Sequence, residues 1–203
     1  MDARATIYQK IESATTALKA KADYPTYDPA MLLSAKRLAG DDAWEIFSRN
    51  FSAVNGRPMD SIDVLIAFLQ STGQLVGYCD PALFEAVGAK LAAAGLTVDT
   101  SFERDQIDRY QFGITRATGA IAESGTLILD DHHTSSRLAA LAPWVHIGLL
   151  RRDEIHRTIP EAIAALGESP NIIWATGPSK TADVEGILIE GVHGPGEQIA
   201  LLF

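Results

Sequence analysis

The ten residues Thr176-Gly177-Pro178-Ser179-Lys180-Thr181-Ala182-Asp183-Val184-Glu185 are the segment of this chain richest in groups that can do chemistry. They follow the apolar run Ile172–Ala175 directly, which reads as a strand. Gly177 permits close backbone approach, two hydroxyls and the Lys180 ammonium converge, and Asp183 or Glu185 can orient them. In open α/β sheets ligands gather at the carboxyl ends of strands, where this segment falls. The same residues also suit a plain polar turn in which Ser179 or Thr181 caps a following helix. Lys180-Thr181 is not a P-loop, because the glycine immediately before the lysine and a second one five residues earlier are missing. No G-x-G-x-x-G occurs either, so neither ATP nor NAD is implied.

Two further glycine-bearing segments could complete a site. In Glu190-Gly191-Val192-His193-Gly194-Pro195-Gly196 the glycines allow a sharp turn that presents His193 at a cleft edge, as a ligand-binding or proton-transferring imidazole, or that merely ends the last strand. In Ala122-Glu123-Ser124-Gly125-Thr126 a lone carboxylate precedes the apolar run Leu127-Ile128-Leu129. Glu123 there suits a nucleophile or general base if burial raises its pKa, and equally a capping or ion-pairing group.

Other polar groups carry weaker signals. Asp130-Asp131-His132-His133 has metal-ligating residue types, but neighbours on an extended chain face opposite ways, so a solvated loop is expected and no metal site is predicted. His146, inside the apolar run Trp144–Leu150, is expected in the interior. Arg116 and Arg137 can each pin a carboxylate, or make ordinary surface ion pairs. Cys79 is the only cysteine; it is expected to pack rather than react, and a cluster that takes about four thiolates from one chain is excluded.

The elements that must position these groups read as α/β. Residues 3–20 carry apolar side chains at helical spacing, the Pro-interrupted stretch 24–29 is a connector, and residues 30–52 resume a helix with Trp44, Phe47 and Phe51 on one face. From Asp60 the texture alternates: a helix at 61–69, a strand at 74–78, a helix from Pro81 to Ala94 and a strand at 96–98. Further strands are expected at 126–129, 145–150, 172–175 and 199–203, with helices near 134–141 and 160–167. Continuous apolar strands separated by helices predict a mostly parallel sheet covered on both faces. We read one domain over residues 1–203, a helical N-terminal cap over 1–55 and an α/β body over 60–203.

Bulk properties narrow the function classes. A chain of 203 residues that is 47% hydrophobic and 21% charged can bury a core unaided. Its formal charge of −9 repels phosphate backbones and anionic membranes, so nucleic acid is not an expected partner. No apolar stretch approaches the ~18 residues of a membrane span. The start Met-Asp-Ala-Arg-Ala-Thr lacks an apolar signal-peptide core, so the expected location is cytoplasmic.

Taken in order, Phe112-Gly113-Ile114-Thr115, Ala120–Thr126, Leu141–Ile147, Gly177–Asp183 and Gly191–Pro195 resemble the LutC/YkgG family, the LUD-domain proteins. The likeness covers about half of the chain, 112–203; before that only length and helical character agree. The resemblance implies a three-layer α/β/α fold similar to the NagB/RpiA/CoA-transferase group. It also implies a role in oxidising L-lactate to pyruvate together with iron–sulfur partner proteins, this chain carrying no cofactor of its own. Carried onto this sequence, it points to Glu123 and His193 as catalytic groups and to Gly177, Pro178, Ser179, Lys180, Thr181, Asp183 and Gly194 as the lining of a site for a small organic acid. Ser124 stands where the family more usually has Thr, and Lys180 where it has Arg, which trades a bidentate fork for a point charge. Two other readings remain at this stage. One is an acyl- or CoA-transferring enzyme, since Glu123-Ser124-Gly125 resembles the CoA-transferase motif whose carboxylate attacks a thioester. The other is an organic-acid sensor without turnover.

Overall fold

The computed structural model describes residues 2–16, 26, 28, 35–134, 136–182 and 187–203, and the chain divides into two compact units, 1–32 and 33–203. In the first, the expected amphipathic helix forms as α1 (Ala3–Thr16) and buries none of its residues; Ile7, Tyr8 and Ile11 are all more than half exposed. In the second unit the helices are α2 (Ala43–Ala53), α3 (Ile62–Ser71), α4 (Ala89–Ala93), α5 (Arg137–Leu141) and α6 (Ile159–Ala165). Its strands are β1 (Arg57–Met59), β2 (Val76–Cys79), β3 (Thr97–Asp99), β4 (Phe112–Arg116), β5 (Gly119–Ile121), β6 (Thr126–Asp130), β7 (Val145–Leu150), β8 (Ile155–His156), β9 (Ile172–Ala175), β10 (Lys180–Thr181), β11 (Ile189–Glu190) and β12 (Glu197–Leu202).

The central sheet is parallel throughout, in the order β1-β12-β7-β4-β2-β3. Its strands alternate sharply between two faces. Phe112, Ile114, Val145, Ile147, Leu149, Ile199 and Leu201 point one way, into an aliphatic core filled by Leu65 and Leu69 of α3, Leu83, Val87 and Leu91. The last three come from one helical stretch, 81–93, that changes pitch from a 3-10 turn at Pro81–Leu83 through a π turn at Phe84–Gly88 into α4. Asp80 starts it by accepting the N–H of Ala82 at 2.9 Å, with Pro81 at the first position.

The opposite face is built from small and polar residues. Gly113 leaves room for α5, since a Cβ there would lie 1.9 Å from the carbonyl oxygen of Ala139. Across β4, β7 and β12 runs a buried row in which Gln198 Nε2 donates to His146 Nδ1 at 2.6 Å and His146 Nε2 meets Thr115 Oγ1 at 2.9 Å. An acceptor at Nδ1 fixes the neutral tautomer with its proton on Nε2, donated to Thr115. Burial pushes the His146 imidazole down to about 4.

A second sheet, β8-β5-β6-β9, packs over this face. Here β5 pairs with β6 and β6 with β9 antiparallel, and only β5 with β8 is parallel. Two strands expected in the parallel sheet, 126–129 and 172–175, therefore lie in this mixed one. The run in β6 is covered on two faces, by α2 and the main sheet inside and by α6 outside, the latter through Ile121, Ile128 and Ala162, whereas β9 is an edge strand that leaves Trp174 exposed. β10 and β11 form a separate antiparallel ribbon.

The helices have the local signals their positions demand. Asp42 caps α2 by accepting the N–H of Glu45 at 2.9 Å, and Trp44, Phe47 and Phe51 stack along one face with ring centroids 5.6 and 5.0 Å apart. Thr158 caps α6, with Pro160 in its first turn. Among the described residues no helix is long and apolar enough to cross a membrane.

His146 gives the fold a pH signature. Its folded pKa of about 4 lies below the ordinary 6.5, so the unfolded chain binds the extra proton first and stability falls as pH drops from 6.5 through 4, by about 3 kcal/mol in all. Denaturant midpoints measured from pH 7.5 to 4 are expected to fall accordingly, and His146→Gln is expected to flatten the part of the curve above pH 5, where carboxylates contribute little.

Candidate functional site

Helix α2 ends where two glycine turns from different strands of the second sheet arrive. Gly125, with φ +64°, approaches so closely that a Cβ would lie 2.3 Å from the Phe51 nitrogen; at Gly177, φ +77°, a Cβ would lie 2.2 Å from the Val54 carbonyl oxygen. Both positions need the left-handed backbone and the missing side chain together. Between them runs a chain of hydroxyls, with Ser124 Oγ 2.7 Å from Thr126 Oγ1 and Thr126 Oγ1 2.8 Å from Thr176 Oγ1. Asn50 of α2 completes the junction by donating to the Ala122 carbonyl at 2.8 Å and to that of Arg37 at 2.9 Å.

The third turn joins through the ribbon. Lys180 pairs in register with Glu190 and Thr181 with Ile189. The Ser179 N–H donates to the Pro195 carbonyl and the Gly191 N–H to that of Ser179, each at 2.9 Å. Gly194 lies against Ser179, a Cβ at that glycine coming within 3.0 Å of the serine's own. Trp144, half exposed, lies flat against Gly191 and Gly196, where a Cβ would enter its ring at 2.4 and 2.3 Å. Of the sequence-predicted residues, Gly177 and Pro178 are buried, Ser179, Thr181 and Gly194 half-buried, and His193 exposed on the turn. Asp183 lies outside the described residues.

The ionisable groups take different neighbours within this assembly. Lys180 Nζ sits 3.3 Å from Glu190 Oε1 and 3.3 Å from the Val54 carbonyl at the end of α2. Glu190 also accepts from Asn55 Nδ2 at 2.7 Å, and that bond, with the ammonium of Lys180, holds its carboxyl below the usual range. Glu123 is 7% exposed; its Oε2 receives the N–H of Ile159 at 3.5 Å and its own N–H donates to the Arg157 carbonyl at 3.0 Å. Arg157 in turn clasps the stretch before α2 through the carbonyls of Leu38, Gly40 and Asp41.

A cleft of about 790 Å³ lies elsewhere: Asp80, Arg116, Asp130, His132, His133, Glu154 and His156 line it, and Glu123, Lys180 and His193 do not. Asp130-Asp131-His132-His133 is a turn rather than extended chain, with Asp130 Oδ1 accepting the N–H groups of His132 and His133 at 2.9 and 3.0 Å. Arg137 pairs with Asp131 at 3.0 Å. Cys79 is fully buried and its thiol is pushed up to about 12 by burial and the neighbouring Asp80 charge. Asn50 and Asn55 escaped the sequence reading, because their partners lie as far as 135 residues away and no local spacing marks them.

A family model, that of the LUD domain, matches residues 80–203, well over half of the chain. The chain is 36% identical over 141 residues to "Lactate utilization protein C" of Deinococcus radiodurans, a match covering 62% of this chain and 66% of that one. It is 33% identical over 103 residues to the protein of the same name from Anoxybacillus flavithermus, covering 48% and 47%. The chain thus spans between about half and two thirds of the length of these curated relatives. In fold it is similar to the crystal structure of a DUF162 family protein from Deinococcus radiodurans, with a TM-score of 0.54 at 22% identity over 84% of this chain and 98% of that one.

Two substitutions test the junction. Gly177→Ala is expected to lose about 1–3 kcal/mol from the left-handed backbone alone, and more from the contact with Val54. Thr126→Val removes the central hydroxyl while Ser124 and Thr176 keep access to water, so a loss of only about 1 kcal/mol is expected. Thermal unfolding of the two variants should rank them in that order.

Proposed function

Because this chain belongs to the LUD-domain family, we propose that it serves lactate utilisation as a non-redox subunit, working with iron–sulfur partner proteins that oxidise L-lactate to pyruvate. The observation that carries this reading is the meeting of the three glycine turns at the end of α2, which holds Lys180, Ser179 and the His193 turn in one assembly. A small carboxylate is to be held there by the Lys180 ammonium in place of Glu190, and the hydroxyls of Ser179 and Thr181 supply further donors. Conversion of lactate to pyruvate removes two electrons and two protons; His193 is assigned the hydroxyl proton, and the two electrons and the Cα proton pass to the partners. The division of labour is supported by Cys79, the one cysteine, whose thiol at about 12 is protonated at neutral pH and in the core, so thiolate ligands must come from other chains.

Deleting the gene is expected to abolish growth on L-lactate while leaving growth on pyruvate intact. Wild-type protein and Lys180→Arg should restore growth, and Lys180→Glu, which sets a second carboxylate against Glu190, should not. Affinity purification from lactate-grown cells should recover cysteine-rich iron–sulfur proteins. Normal growth of the deletion strain on L-lactate would reject the proposal.

A further inference from the structure

The 790 Å³ cleft is of ordinary size for a small-molecule site, and the carboxyl ends of β2 and β4, adjacent strands of the parallel sheet, open into it through Asp80 and Arg116. Its apolar floor is Leu83, Ile128, Ala162 and Leu166. The charge around it is one-sided. Asp80, Asp130, Glu154 and Glu168 all line it, against Arg116 alone among lysines and arginines. That arginine is already committed, its guanidinium bonded to Glu154, to the Ala117 carbonyl and, at 3.2 Å, to the Leu149 carbonyl.

One carboxylate retains accepting capacity toward the cleft. Asp80 is only 5% exposed, and while its Oδ1 takes the N–H of Ala82, no hydrogen bond among the described residues reaches its other oxygen. Glu154 gives Oε1 to Arg116, and its Oε2 is buried without a partner. Asp130 is pushed up by burial, but the hydrogen bond and charge of His133 outweigh that, with help from the two backbone N–H groups, and keep it ionised below its ordinary range. With Arg116 set against Glu154 and His133 against Asp130, a carboxylate ligand entering here would still face two side chains of its own sign, Asp80 and Glu168.

We infer that this cleft is a second ligand site, separate from the glycine-turn assembly, and that it takes an organic ammonium compound: a ligand with one or two protonated amines and a hydrocarbon body for the Leu83–Leu166 floor. Asp80 would accept from the amine, and Asp130, Glu154 and Glu168 would supply longer-range attraction.

Amide chemical shifts of the ¹⁵N-labelled chain during titration with 1,5-diaminopentane test this, with L-lactate titrated in parallel. The diamine should move the amides of residues 80, 82, 83, 116–118 and 130–133, more weakly as salt rises. Glu168→Gln, on an exposed residue, and Asp80→Asn, which keeps a capping oxygen, should each weaken binding by about threefold, whereas Asp105→Asn, outside the cleft lining, should change nothing. Absence of binding, shifts scattered over the whole surface, or equal affinity in the cleft variants would overturn the inference. So would L-lactate moving the same amides in competition with the diamine. None of these outcomes bears on growth on lactate, so the two readings stand or fall separately.

Discussion

Two backbone segments can approach a helix to within van der Waals contact only where side chains are absent, and the second sheet of this protein is docked by that constraint. Gly125 and Gly177 press against the backbone of α2 at Phe51 and Val54. Everything on the turns beyond them inherits its place from that contact: the hydroxyl chain through Thr126, the ribbon that presents Lys180, and the turn that carries His193. The energy holding α2 there comes from the other side of the helix, where Ile46, Phe47 and Phe51 are fully buried between the sheets.

The same economy of size explains the main sheet. One face carries large aliphatic side chains and is roofed by α3 and the helical stretch 81–93; the other is flattened by Gly113, Gly148 and Ala200 so that α5 and the second sheet can lie close. The polar row of Thr115, His146 and Gln198 fits on that flat face because each member satisfies its neighbour. A buried imidazole costs little when both nitrogens are bonded, and it remains neutral to do so.

Much of this was legible in the residues. The runs 145–150 and 172–175 are strands with those very bounds, the helix expected from residue 61 starts at Ile62, and the one expected from Pro81 begins where Asp80 caps it. Glycines marked the three turns because sharp turns and close approaches demand them. What stayed hidden was pairing. β5, β8, β10 and β11 have three residues or fewer, too short for periodicity to register, and the β5–β8 ladder joins segments distant in the chain. A continuous apolar run looks the same in a parallel as in a mixed sheet, so the sheet to which β6 and β9 belong could not be read. The cleft was missed for the same reason: Asp80, Arg116, Asp130 and Glu168 are separated in sequence and share nothing until the two sheets stack.

The lone cysteine has a practical meaning of its own. With its sulfur sealed in the core and the thiolate held to on the order of one part in 10⁵ at neutral pH, Cys79 is silent toward alkylating reagents while the body stays folded. Its labelling rate therefore clocks global opening of the molecule, and a cysteine introduced anywhere on the surface can carry a spectroscopic tag with no competing native thiol.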